Sequence, residues 1–376
     1  MGPARNAPGD DRGREINVAM TERRVRVGLI GCGKIAKIHA MALKTLDDAE
    51  FVACCDSDLN RAREYAAAYD VENVYSDASD LVSSGIVDAV LVCTPHPSHE
   101  AVVVAAAETG VHVLCEKPIA ISLREADRMI DAADRAAIKF GVIFQRRFWP
   151  AAQRIREAID NGRLGKLTLG ECSVRLWRSQ EYFASDPWRG KWATEGGGVL
   201  MNQAVHSIDQ FLWFMGDPVE VVGRHATLRH GAYIDVEDTV VATVVFANGA
   251  LGIIQTATTF QPEFGFRVAV HGDRGATVSV WEPEEGTQGY NDVWSLPYEE
   301  AFRMVWELEE KGKPGFPFFH IRQIHDFLRA VLDDRQPAVT GTDARKSLEV
   351  ILAIYESSRT GLPVRFPMEH KSIPAT

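Results

Sequence analysis

A chain of 376 residues has room for two domains with cores of their own, and 46% hydrophobic with 25% charged residues excludes the disordered and fibrous classes. A formal charge of -11 argues against a nucleic-acid partner, because phosphate binding needs a concentrated basic face. No run of about eighteen apolar residues and no basic-then-apolar leader is seen, so neither a membrane span nor a secretory signal is expected, and the predicted location is cytoplasmic.

Residues 1–21, rich in Gly, Pro, Asp and Arg, read as a disordered tail, with Met20 as an alternative start. Val25 to Ile30 is a strand-like run, followed at once by Gly31-Cys-Gly33-Lys34-Ile35-Ala36 and a helical segment to about Thr45. In this G-x-G-x-x-A pattern the first glycine permits a tight turn, the second admits a pyrophosphate, and Ala36 lets the helix pack closely on the strand. Phe51 to Asp56 is a second buried strand ending in a carboxylate, about twenty residues on, where a ribose diol is held. A 2′-phosphate would meet like charge there, so NAD is expected over NADP; Asp56 can equally cap the helix running to Tyr69.

Val87 to Cys93 and Val111 to Cys115 continue as strands around a helix from Ser98 to Glu108. Ser122 and Glu125 make a capping box for a helix to about Ala137, and Lys139 to Phe144 closes the set. Strands alternating with helices imply a parallel doubly wound sheet whose ligand lies beyond the strands' carboxyl ends. Gly31 to Ala36, Thr94-Pro95 with His99, and Glu116-Lys117-Pro118 all fall there. Lys117 is carried by a backbone constrained by Pro118, possible in cis; an exposed Lys paired with Glu116 is the plainer alternative. Cys32, Cys54, Cys55, Cys93, Cys115 and Cys172 form no C-x-x-C pair and read as buried core thiols rather than disulfides or metal ligands.

Arg146 and Arg147 follow the last of these strands, where they can bind an anionic substrate group or simply join the next helix, Ala151 to Asn161. Beyond it, Lys166–Trp177, Val219–Leu228, Asp238–Phe246, Ala250–Thr258, Phe266–His271 and Ala276–Trp281 read as strands, with hairpin turns at Asn248-Gly249 and Asp273-Arg-Gly275. Consecutive hairpins predict an antiparallel sheet. Ile321–Asp333 and Asp343–Arg359 read as amphipathic helices.

Between the first two of these strands lies the stretch from Glu195 to Asp209. Three glycines open a run of helical periodicity to Met215, and at 100° per residue Asn202, His206, Asp209 and Trp213 share one narrow polar face. Water alone could meet such a stripe. The loop before it carries Trp188, Arg189, Lys191 and Trp192, suited to a sugar face with a negative substituent, or to packing across an interface. Asn202, His206 and Asp209 lack the second imidazole or thiolate that a zinc site needs, so no metal is expected.

Together these motifs resemble the family of nicotinamide-dependent sugar oxidoreductases named after glucose-fructose oxidoreductase and inositol dehydrogenase, over nearly the whole chain from Val25 to about Pro367. Trp188-Arg189-Gly190-x-Trp192 before Glu195-Gly-Gly-Gly, with Asn202-Gln203 and His206, is similar to the subgroup that oxidises nucleotide-linked hexosamine acids at C3. The resemblance implies a Rossmann domain over 22–147 and, over 148–367, an α/β domain on an open, mainly antiparallel sheet that mediates a homodimer or homotetramer, with a short tail at 368–376. It implies NAD held by Gly31, Gly33, Lys34, Ile35, Ala36, Asp56, Thr94, Pro95, His99, Glu116 and Lys117. It implies substrate held by Lys117, Arg147, Trp188, Arg189, Asn202, His206 and Asp209. His206 is then the general base, Lys117 stabilises the alkoxide, and Asn202, where the family usually has Asp, orients the imidazole, whose unperturbed pKa suits neutral pH. A regulatory relative that senses NAD and sugar without turnover is the competing expectation, as is an enzyme whose bound cofactor is recycled by a second substrate.

Overall fold

The computed structural model describes Gly2 and residues 23–296 and 318–368; the two expected tails lie, apart from Gly2 and Met368, outside them. The first six strands are β1 (Val25–Ile30), β2 (Ala49–Cys55), β3 (Asn73–Tyr75), β4 (Ala89–Val92), β5 (His112–Cys115) and β6 (Phe140–Val142). They form one sheet in the order β3-β2-β1-β4-β5-β6, and every pairing is parallel. Helices α1 (Ala36–Leu43), α2 (Leu59–Tyr69), α3 (Ala78–Ser83), α4 (His99–Glu108) and α5 (Leu123–Arg135) make the crossovers. Covered on both faces, β4 buries all four of its residues, which is why it reads as a continuous apolar run.

Ser122 with Glu125 completes the capping box as expected. The cap of α2 is Asp58 rather than Asp56, its carboxylate accepting from the Asn60 and Arg61 amides. The sequence reading passed over β3 and α3, which at three and six residues are too short to show a period. All six cysteines are buried free thiols. The strand order reverses between β1 and β4, so the loops after these strands lie side by side at a topological switch point.

Helix α6 (Pro150–Asp160) leads to the second sheet: β7 (Leu167–Arg175), β8 (Pro218–Ala226), β9 (Thr239–Phe246), β10 (Leu251–Ala257), β11 (Gly265–Gly272), β12 (Thr277–Glu282) and β13 (Val364–Arg365). Its order is β12-β11-β7-β10-β9-β8-β13. The hairpins at Asn248-Gly249 and Asp273 to Gly275 form as read, with both glycines at positive φ. The expected run of antiparallel pairings is interrupted once, because β7 pairs in parallel with β10. That pairing is imposed by the long excursion after β7, which holds α7 (Gln180–Ala184), α8 (Trp192–Glu195) and α9 (Val205–Met215) and removes β8 to the far side. On the outer face of this sheet Leu169, Val222, Val241, Leu251 and Ile253 stand 40–56% exposed.

Of two late helices, α10 (Phe318–Leu332) returns to the first domain, while α11 (Gly341–Thr360) packs on β8 and α9 of the second and against α5 of the first. Ile324, Phe327 and Leu328 pack with Val25, Val27, Leu91 and Leu114, so a segment expected in the second domain completes the first domain's core. Gln323 ties the join further, accepting from the Phe144 amide at 2.9 Å and donating to the Val142 carbonyl at 2.7 Å. No helix among the described residues is long and apolar enough to cross a membrane.

Candidate active site

At the switch point the end of β1 turns sharply. Gly31 has φ +93°, and a Cβ there would lie 2.7 Å from the Cys93 backbone, so no other residue fits. A Cβ on Gly33 would meet nothing within 4 Å, leaving open space in front of the loop. Ala36 opens α1 fully buried, and Ile35 packs beside it. Thr94 Oγ1 is buried without a protein partner on the neighbouring loop, as a hydroxyl waiting for a ligand would be. This cradle fits a dinucleotide.

Other residues expected at the cofactor do different work. Asp56 accepts the Cys32 amide on one oxygen at 2.9 Å, and on the other the Asp58 amide at 2.9 Å and Arg61 at 3.4 Å. It therefore shapes the glycine turn, and Arg61 supplies a cation that a reading of the carboxylate alone leaves out. His99 is fully buried, bridging the Thr94 carbonyl to those of Pro118 and Ile119, so it ties two loops together rather than facing the cleft. Pro95 starts the short turn that carries it. Lys34 Nζ spans the domains to Asp186 at 3.0 Å and Ser185 at 3.3 Å.

Beyond β5, Glu116 turns inward. One oxygen meets His39 Nε2 at 2.7 Å and the other accepts the Lys117 amide at 3.1 Å. Burial pushes Glu116 up, but the His39 hydrogen bond, with the charges of His39 and Lys117, outweighs it and holds the carboxyl at about 2. Glu116 thus anchors the backbone of Lys117 instead of reaching a ligand. The Lys117–Pro118 peptide is cis. Lys117 Nζ donates to the Asn202 carbonyl at 3.1 Å, and burial lowers its pKa despite Glu116 and Glu285.

The helix bearing His206 departs from a regular wheel. It starts after the glycines, and Leu200–Ala204 is a π-helical turn before α9. The glycines are explained by contact. A Cβ on Gly197 would strike the Tyr355 hydroxyl at 2.2 Å, and one on Gly198 the Glu237 carbonyl. Glu237, buried, accepts the Gly198 amide at 2.6 Å, the Leu200 amide at 3.0 Å and the Tyr355 hydroxyl at 2.9 Å, while burial raises it to about 7.

The polar stripe is therefore no surface feature. His206 and Asp209 are 8% and 0% exposed, and the alternative that water alone meets them fails because β7, β11, α6 and α11 pack around the helix. Asp209 is bound by both nitrogens of a fork from Arg147 at 2.7 Å, with Ser347 at 3.4 Å. Neither Arg147 nor Asp209 is open to a substrate. Arg146 is likewise buried, on Glu282, Ser207 and the Phe266 ring. Trp213 stacks on Phe214 with Arg147 over it, a packing role.

His206 packs edge-on to Phe144, and its Nδ1 is buried without a partner. Burial, then Lys117, Arg146 and His320, hold it well below its ordinary 6.5, so the imidazole is neutral rather than unperturbed. Asn202 makes no hydrogen bond to it. The amide instead donates to Glu195, a buried carboxylate that also accepts the Gly190 amide, so the expected ring orienter is engaged elsewhere.

The loop before the glycines folds over the cleft. Trp188 packs on His96, and Arg189 lies over the Trp188 and Tyr182 rings while holding Asp186. Tyr182 Oη accepts from Arg189 and from Gln203 at 2.8 Å. Arg178 reaches Glu285 nearby. Tyr182, Gln203, Glu195 and Glu285 had no assigned role in the sequence; Glu195, adjoining the glycines, and Gln203, beside Asn202, carried a positional signal.

Residues 25–144 match an oxidoreductase family described by its NAD-binding Rossmann fold, and residues 152–278 match the C-terminal domain of the same GFO/IDH/MocA group. Myo-inositol 2-dehydrogenase of Thermotoga maritima is 30% identical over 336 residues, 86% of this chain and 93% of that protein. The chain belongs to the GFO/IDH/MocA oxidoreductase family. It is an NAD-dependent oxidoreductase acting on CH–OH groups. D-glucoside 3-dehydrogenase of Escherichia coli is 28% identical, covering 92% of this chain and 99% of that one. The WlbA dehydrogenase from Bordetella pertussis, solved with NADH and UDP-GlcNAcA, superposes with a TM-score of 0.81 at 30% identity, covering 92% of this chain and all of the other.

Proposed function

We propose that the chain oxidises the C3 hydroxyl of a sugar, nucleotide sugar or cyclitol, with His206 as general base and Lys117 stabilising the alkoxide. The observation that carries this is the hydrogen bond from Lys117, on the first domain, to the carbonyl of Asn202, one turn before His206 on the second. A cation and a neutral imidazole are thereby brought together across the join of the two domains. Gly31 to Ala36 with Thr94 would hold NAD, which when bound would supply the hydride acceptor. His206 is ready to take the hydroxyl proton because burial and its cationic neighbours keep it unprotonated. Lys117, fixed by Glu116 beneath it, places positive charge where negative charge grows on oxygen.

Trp188, Arg189, Tyr182 and Arg178 give the cleft wall aromatic faces beside cations, in keeping with a sugar that bears an anionic group. The relatives acting at C3 of a glucoside, or crystallised with a nucleotide-linked sugar acid, favour the same class. The outer sheet face of Leu169, Val222, Val241, Leu251 and Ile253 is the surface we assign to a homodimer or homotetramer.

The test is NADH formation by the purified chain with NAD across a panel of hexoses, uronic acids, their nucleotide derivatives and inositols, with the oxidised carbon located by NMR. Turnover giving a 3-keto product is expected. Binding of NAD and sugar without turnover would replace this reading by a sensor.

A further inference from the structure

Glu195 is buried, ionisable and outside the acid–base pair, yet it touches the cleft through one neighbour. Its side chain accepts from two donors: the Gly190 amide on Oε2 at 2.5 Å and the Asn202 side-chain amide on Oε1. Its own carbonyl faces His96 Nδ1 at 3.1 Å, which fixes Glu195 against the first domain. Both carboxyl oxygens act as acceptors, so Glu195 dictates which end of the Asn202 amide points toward it. The NH2 group faces Glu195. The carbonyl Oδ1 must then face away, and no described residue donates to it. Asn202 is half-buried on the π-helical turn, with Lys117 bonded to its backbone and His206 one turn on.

Resting on the reading of His206 and Lys117 as the reacting pair, we infer that Glu195 is a positioning residue that locks Asn202 so that its Oδ1 accepts from a hydrogen-bond donor on the carbon next to the reacting carbinol. The chemistry recognised is a vicinal donor: a second hydroxyl, or an acylamino N–H. A deoxy or O-methyl group at that carbon leaves the acceptor unmatched, which a site built for a donor rejects. Gln at 195 would give its oxygen to Gly190 and its NH2 to Asn202. Asn202 must then turn its carbonyl inward and offer an N–H to the substrate, which a hydroxyl or an ether oxygen accepts equally, so the preference for a donor is lost.

The experiment compares a vicinal diol, its acylamino analogue and its deoxy and O-methyl analogues. It uses kcat/KM and, separately, Kd for each compound by calorimetry on NADH-loaded protein. Wild type should favour the donors over the O-methyl compound, which can only accept, by about tenfold or more, a gap of about 1.4 kcal/mol. Glu195→Gln should bring that ratio toward one, and Asn202→Asp alone, with two carboxylates in contact, should depress every substrate. The double variant Glu195→Gln/Asn202→Asp again pairs one carboxylate with one amide and presents an acceptor, so it should restore the discrimination. A role in folding alone would lower all substrates together and predicts no such rescue. Full discrimination in Glu195→Gln, or a double variant no better than Asn202→Asp, overturns the inference, as does wild type that binds donor and O-methyl compounds equally. Absent turnover with intact donor discrimination in Kd would instead strike the acid–base reading and leave Glu195 in place. Preference for the hydroxyl or for the acylamino compound identifies which donor the site takes.

Discussion

His206 and Asp209 stand three residues apart on one helix, both buried, and their surroundings differ in a single respect. Every oxygen of Asp209 is met by Arg147 or Ser347, whereas His206 keeps a buried ring nitrogen with no partner. A buried polar group that is fully paired holds the structure together, and one left unpaired calls for a functional explanation. Asp209 and Arg147 bolt the helix to the end of the first domain. His206 is held neutral and unengaged beside Lys117.

The sharpest test of that contrast is to remove each group in turn. His206→Asn should lower kcat by about 100- to 10,000-fold, the range expected for a positioned general base, with the melting temperature little changed. A variant with near-normal kcat and NAD bound would erase the distinction. Lys117→Met should be nearly as severe in kcat. Asp209→Ala should behave the opposite way, leaving buried Arg147 only the longer contact to Asp343 at 3.7 Å, at a cost of up to about 3 kcal/mol in stability, read by urea denaturation. Replacing both by apolar residues, Arg147→Met with Asp209→Leu, should recover most of that stability and retain turnover. If the double variant folds but is inactive, the pair belongs to the chemistry after all.

A pH profile sharpens the same comparison with a smaller effect. The neutral form of His206 is the active one, and its pKa lies well below 6.5 because burial and the nearby cations disfavour imidazolium. Activity should therefore be lost only as pH falls well under 6.5 in kcat/KM, which reports the free enzyme. Lys117, lowered from 10.5 mainly by burial, must keep its proton, so the basic limb should fall below 10.5. Removing that cation in Lys117→Met should raise the His206 pKa in an NMR titration. An unmoved value would mean the two do not sense each other.

The doubly wound sheet was legible because buried parallel strands show as apolar runs and because Gly31, Ser122 and Glu125 act locally. The Lys117 and His206 pairing was legible in outline through motif order. What escaped depends on contacts distant in sequence. Nothing near Asp209 announces Arg147, 62 residues away, and nothing near Gly198 announces Glu237. The helical wheel placed Asn202 beside His206, but the π turn and Glu195 redirect it. Periodicity can say that a face is polar; whether water, an ion pair or a substrate meets it is decided by packing.

Lys34 gives the comparison its mildest case, a charged group that is paired yet exposed. Its side chain is 70% exposed, and its ammonium bridges the glycine loop to Asp186 on the second domain. An exposed pair of this kind contributes up to about 1 kcal/mol, so if the bridge is all Lys34 does, Lys34→Ala should weaken NAD binding by no more than about fivefold. Asp186→Ala should then match it, since each removes the same contact. If Lys34 instead leaves Asp186 to hold the cofactor's pyrophosphate, a charge-assisted hydrogen bond is lost, and affinity should fall by about 10- to 100-fold in Lys34→Ala alone. Asp186→Ala would then leave affinity unchanged or tighten it, because a competitor for the ammonium has gone. Calorimetric titration of NAD into the two variants separates a domain bridge, in which the substitutions agree, from a phosphate ligand, in which they diverge.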